Sequence, residues 1–235
     1  MANGIKVGEV HQTSARVWVR LTKHAEANTT GTPFTNQKAK TEQLPSGKQL
    51  RDMLGSVPGA AGDVRVQYHV HGTRSEPAVT EWLHVTAATD FTHTFALREL
   101  QAGATYDVLV EGRITKGSNT CCSITGQFRT APKASASASA SFCVITGQDY
   151  HRRDNKKLGH LIYRQMLKLA PDFLAHTGDT LYYDKAKPFA STVKLARFKW
   201  NRLYAMPFQR DFHNRTASYF MKDDHDTLKN DCWLG

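Results

Sequence analysis

Apolar and polar residues alternate in short runs over the first 130 positions. The runs Ile5–Val10, Ala15–Leu21, Val64–Val70, Glu81–Thr86, His93–Leu100, Thr105–Gly112 and Thr125–Thr130 alternate or are rich in β-branched and aromatic residues. Gly, Pro, Asn and Ser separate them. Seven such runs predict an all-β sandwich over residues 1–131. Between the second and third runs, Asn28–Asp63 loses the alternation. Its Thr, Gly, Ser and Pro predict a long loop with a short helix around Gly47–Leu54.

Leu100 to Tyr106 places a tyrosine at the start of a strand just after a Gly-containing turn, the arrangement of a tyrosine corner. This Leu-to-Tyr spacing resembles that of fibronectin type III or immunoglobulin-like domains, with Ala102 where proline is usual. Ala-Ser is then repeated from Ala134 to Ser141, and 132–141 reads as a flexible linker.

After the linker the period changes. Phe142–Thr146 is a continuous apolar run, as in a buried parallel strand. Leu158, Leu161, Ile162, Met166 and Leu169 recur at helical spacing, with Asp154 or Asn155 to cap the start and Pro171 past the end. Asp172–Thr177 predicts a second strand, Pro188–Tyr204 a helix and Ser218–Lys222 a third strand. This β-α-β-α-β order calls for a parallel sheet with right-handed crossovers over residues 142–235.

Each of the three strands runs into carboxylate. The first leads to Gly147, Gln148 and Asp149, the second to Gly178 and Asp179, and the third to Asp223, Asp224, His225 and Asp226. In a parallel sheet these turns share the edge at the carboxyl ends of the strands, where open α/β sheets bind ligands. Clustered carboxylates repel one another unless a cation sits among them. Hard or borderline metals supply that cation, and a pair of them clamps phosphoryl transfer.

Charge favours an anionic partner. The net charge is +10; residues 1–131 carry 14 basic and 11 acidic side chains, and residues 142–235 carry 16 and 10. The cations are scattered, with no aromatic-interleaved stripe, so no nucleic acid is expected as a partner. All ten acids of the second segment are aspartates. The four cysteines, Cys121, Cys122, Cys143 and Cys232, form no Cys-x-x-Cys pair, which argues against a structural zinc site. No apolar stretch is long enough to be a transmembrane segment, and no signal peptide is visible at Met1–Val10.

Gly178-Asp179-x-x-Tyr182, followed some 45 residues later by Asp224-His225-Asp226, resembles the metallophosphoesterase superfamily. The segments TGQDY, PDFLAHTGDTLYYD and DDHDTLKND are more closely similar to its alkaline phosphatase D (PhoD-like) family, whose members carry an N-terminal sandwich domain. The resemblance implies a hydrolase of phosphate monoesters and diesters, a phosphodiesterase or phosphomonoesterase, with iron and calcium or other divalent metals as cofactors and a small phosphate ester as substrate. It also implies a periplasmic or secreted location.

Carried over by position, the resemblance makes Asp179 the carboxylate that bridges two metals. Tyr182 becomes a phenolate ligand, Asp224 a ligand where asparagine is usual, and His225 the catalytic donor to phosphate or leaving group. Gly147 stands where the family often has cysteine, and Asp149, two residues on, is the candidate replacement ligand. Arg152 and Arg153 are candidate phosphate contacts. The family's remaining ligands lie downstream of the Asp-His motif, and the sequence ends at Gly235, nine residues after Asp226. The second half of the catalytic domain is therefore expected to be missing. The competing expectation is a truncated, catalytically dead remnant or a non-enzymatic β-sandwich binding module.

Overall fold

The computed structural model describes residues 1–35, 44–227 and 229–232. Strands β1 (Lys6–Gly8), β2 (Ala15–Arg20), β3 (Gly62–Val70), β4 (Ala78–Val79), β5 (Leu83–Val85), β6 (Thr92–Leu97), β7 (Thr105–Arg113) and β8 (Cys122–Arg129) make the first part. They form two antiparallel sheets, β1-β2-β6 and β4-β3-β7-β8, with β5 also on β3. The alternation predicted from sequence is visible in β7, where every second residue is buried. Val17 and Val19 of one sheet and Val64, Val66, Val108 and Val110 of the other share one core with Phe95 and Phe128. Tyr106 closes the corner: its phenol oxygen accepts the Gln101 N–H at 2.8 Å.

Part of the predicted long loop, residues 36–43, lies outside the described residues. The short helix expected within the loop is a single 3-10 turn at Leu50–Asp52. All four cysteines are free thiols. Residues 132–141 are exposed throughout.

The second part follows the order β9 (Phe142–Ile145), α1 (Leu161–Lys168), β10 (Phe173–His176), α2 (Val193–Tyr204), α3 (Pro207–His213) and β11 (Ala217–Phe220). The three strands are parallel, with β10 central. Helix α1 starts later than its apolar spacing predicts. Asn155 instead folds a turn: its Oδ1 accepts the N–H groups of Lys157 and Leu158, and its backbone pairs with Gly159. Asp154 still serves the helix start, its Oδ2 accepting the Leu161 N–H at 2.9 Å. Helix α2 begins at Val193 rather than Pro188, capped by the Thr192 hydroxyl, and the unpredicted α3 opens with Pro207, a residue suited to a first helical position.

Tyr163, Met166, Leu174 and Phe212 pack the helices on one face of the parallel sheet. The other face is open. Phe142 and Val144 are each 57% exposed, and their strand register aligns them with Phe173, Ala175 and Tyr219.

The two parts are joined by more than the segment 132–141. The Ile5 N–H donates to Asn214 Oδ1 at 2.9 Å, Asn3 Nδ2 donates to Asn201 O at 2.8 Å, and Gln127 N donates to Asn214 O at 2.8 Å. Ala2, Val57 and Ala205 form a small shared apolar cluster.

Candidate metal centre

Parallel pairing puts the turns after β9, β10 and β11 at one edge, and backbone bonds zip them together. Gly147 N donates to Gly178 O at 3.2 Å, Gln148 N to Asp179 O at 2.8 Å, and Tyr183 N to His225 O at 3.0 Å. Glycine is required at 178. Its φ is +119°, and a Cβ there would lie 2.5 Å from the Asp223 Cβ. Asp179 itself holds a left-handed φ of +51°.

Asp226 fastens the second turn to the third. It is 1% exposed, and its carboxylate accepts the N–H groups of Thr180 at 3.0 Å and Leu181 at 2.5 Å. Burial pushes its carboxyl up, against the pull of those donors.

The turns bring Asp179, Asp224 and His225 together, with one ligand atom from each within 4.8 Å of the others. Asp179 Oδ1 is buried and unpartnered, and Oδ2 accepts the Tyr182 hydroxyl at 3.3 Å. Burial raises the Asp179 carboxyl, and the charge of Asp224 adds to this while His225 opposes it. The Tyr182 phenol is pushed up to about 12, by burial first and then by the charge of Asp179. The backbone N–H of Asp231, and then that of His225, hold Asp224 low. The His225 ring lies 4.5 Å, centroid to centroid, from that of Tyr182.

Of the other candidates, Asp149 stands outside this triad. Its Oδ1 accepts the His151 N–H at 2.8 Å, at the start of the turn Tyr150–Arg152. A Cβ at Gly147 would sit 3.4 Å from the Tyr182 hydroxyl, so position 147 faces the site but supplies no donor. Arg152 has its side chain 86% exposed and makes a long ion pair with Asp149 Oδ2 at 4.0 Å. Arg153 is engaged by the carbonyls of Tyr150 and Lys156 and lies over the Tyr150 ring.

Two residues of the site escaped the sequence reading. Asp184 Oδ1 lies 2.9 Å from His225 Nδ1. Its signal was an acid five residues past Asp179, in the same loop. Lys199, 4% exposed, donates its amine to the carbonyls of Tyr182 and Lys185 and so holds the loop that carries Tyr182. It reads as the wet face of a helix, and no sequence pattern marks it.

The donor set fits a cation. It offers two carboxylates, an imidazole and a phenol, and one carboxylate oxygen is buried without a hydrogen-bond partner, an arrangement that costs free energy unless a charge compensates it.

No family model matches the chain, and no curated protein matches it. Solved structures do. The structure of PhoD aligns with 97% of this chain at a TM-score of 0.67 and 16% identity. A purple acid phosphatase from yellow lupin (Lupinus luteus) seeds aligns with 93% at 0.55 and 11% identity. The chain spans 40% and 34% of their lengths. At these identities the likeness is one of fold, the fold of these phosphatases. A fibronectin type III domain of human collagen alpha-1(XX) reaches a TM-score of 0.32 only, too low to decide the kinship of the sandwich.

Proposed function

We propose that the turns after β9, β10 and β11 form part of a metal-dependent phosphoesterase centre acting on phosphate monoesters and diesters. The observation that carries this reading is the meeting of Asp179, Asp224 and His225 at the carboxyl edge of a parallel sheet, with Asp179 Oδ1 buried and unpartnered. The fold shared with PhoD and a purple acid phosphatase supports it.

In this reading Asp179, Asp224 and Tyr182 hold the cation. Bound there, the metal supplies Lewis acidity toward a phosphoryl oxygen and a water acidic enough to act as nucleophile. Tyr182 would bind as phenolate, its proton passing to solvent as the ion takes its place, and for a phenol pushed up to about 12 a strongly polarising ion such as iron(III) would suit this better than calcium. Calcium or another divalent ion suits the carboxylates. Asp184 engages His225 Nδ1 and leaves Nε2 as the ring atom available to metal or substrate. Arg152, exposed and held only by a long contact with Asp149, can reach a phosphate oxygen, whereas Arg153 is engaged by backbone carbonyls. Export from the cytoplasm belongs to the same proposal; among the described residues no helix is long and apolar enough to cross a membrane.

A non-catalytic module is the competing reading. The first turn favours it, because Gly147 offers no donor and Asp149 is turned to the His151 N–H. Metal content and turnover of p-nitrophenyl phosphate and bis-p-nitrophenyl phosphate separate the two. Metal retained by the chain and lost from Asp179→Asn, with turnover, supports the enzyme. Metal binding without turnover supports the module, and no metal binding at all rejects the centre.

A further inference from the structure

A second cleft opens between the sandwich and the α/β part. Its volume is about 340 Å³, and its walls include Trp18 of β2, Trp200 and Tyr204 of α2, and Phe220 of β11. It shares no lining residue with the triad. Trp200 and Tyr204 stack with centroids 5.6 Å apart and planes 11° from parallel, while Tyr204 meets Phe220 edge-on at 5.9 Å. Flat aromatic walls favour a flat apolar guest.

The charge of the cleft is one-sided. Lys6 Nζ lies 5.1 Å from the Tyr204 ring and 5.8 Å from the Trp18 ring. It donates to the carbonyls of Asn3 and Ile5 and forms no ion pair with a carboxylate among the described residues. Arg197, exposed on α2, adds a second cation at the wall. The acid in the cleft, Asp90, is already engaged by Arg20 at 3.2 Å and by Asn201 Nδ2 at 3.4 Å. Burial and Arg210 lower the Lys6 amine to about 7, so a counter-charge beside it would stabilise the charged form.

We infer that this cleft binds a small planar aromatic anion, a ring system stacked among Trp18, Trp200 and Tyr204 with its carboxylate on Lys6. The volume lies near the lower end of the roughly 300–1,000 Å³ of small-molecule sites, which suits a bicyclic aromatic acid.

The probe is 2-naphthoate, with 2-naphthamide as its neutral counterpart, titrated into the chain while the tryptophan indole N–H signals are followed by NMR. The Trp18 and Trp200 signals, assigned through the Phe variants, should shift saturably while that of Trp82 stays put. The amide should bind about tenfold more weakly, the worth of one charge-assisted hydrogen bond. Lys6→Met should remove most of the preference for the acid. If that variant does not fold, Arg197→Gln, on an exposed side chain, should weaken 2-naphthoate several-fold and leave the amide unchanged. Equal binding of acid and amide, shifts confined to Trp82, or no saturable shift overturns the inference. So do indole shifts that follow protein concentration alone, which would give the cleft to a second copy of the chain.

Discussion

His225 Nδ1 lies 2.9 Å from Asp184 Oδ1, and the second oxygen of Asp184 accepts the Asn230 N–H at 3.3 Å. The carboxylate thus fixes the ring and ties it to the segment beyond. Asp184→Asn should keep most of the metal but slow any turnover by roughly 10- to 100-fold, the scale of a lost orienting partner of His225, and leave the unfolding midpoint nearly unchanged. Turnover and metal content of the two proteins check this, and equal turnover would remove Asp184 from the centre.

Asp179 should be the most damaging residue to change. Its loss removes a donor at the heart of the triad, so Asp179→Asn should cost more in metal affinity than Asp184→Asn. Asp224→Asn should be milder, because an amide oxygen still ligates. His225→Ala should keep most of the metal and slow any turnover by about 10²-fold or more. Metal content and turnover of the three variants give the order directly; an Asp179→Asn protein with normal metal content contradicts the assignment.

Gly178→Ala tests the backbone of the site. At φ +119°, with a Cβ placed 2.5 Å from Asp223, the methyl group must displace the third turn. A destabilisation of about 1–3 kcal/mol is expected from such overpacking, read as a lower urea midpoint. An unchanged midpoint would mean that the two turns are not in contact.

Stability should rise with pH above neutrality. Burial, and then Arg202, lower the Lys199 amine to about 7. An unfolded lysine titrates near 10.4, so between about pH 7 and 10 the unfolded chain binds a proton that the folded one has released. Stability then climbs across that window by at most about 1.4 kcal/mol per pH unit for this group. Urea midpoints at pH 7, 8 and 9 should increase, and Lys199→Met should flatten the slope. A falling midpoint with an unaltered slope in the variant would refute the buried amine.

The stretch 132–141 should be the first cut in limited proteolysis, since every residue in it is exposed. Elastase, which cleaves after small residues, is the suitable enzyme. The nicked halves should nevertheless migrate together on gel filtration, because Asn3, Ile5 and Gln127 hold Asn201 and Asn214. Separate peaks would show that these bonds do not bind the halves.

The sheets were legible because side-chain period and turn residues agree: Val17 and Val19 fall on one face, and Tyr106 marks its corner. The three acidic turns were legible because parallel topology sends all strand ends to one edge. The contacts that refine the site were not. Asp149 and Asp179 look alike in sequence, each following a strand and a glycine, yet one caps a turn and the other joins the triad. Lys199 and Arg202 occupy what reads as a solvated stripe. Both are 4% exposed, covered from the loop side, where a Cβ at Gly55 would strike the Arg202 side chain at 2.5 Å. Helix α1 lost its first turns to Asn155, a local hydrogen-bonding choice that apolar spacing does not report.

The bond between Ile5 and Asn214 spans 209 residues. On the ribosome the first strand is made long before its partner. At about 5–20 residues per second, Ile5 waits roughly 10–40 seconds for Asn214 to be synthesised. During that interval the nascent sandwich carries an unfinished seam, with the Asn3 amide and the Ile5 N–H still in water. Chaperones that act early in translation would meet this seam, and slowing synthesis between Thr130 and Asn214 would lengthen its exposure.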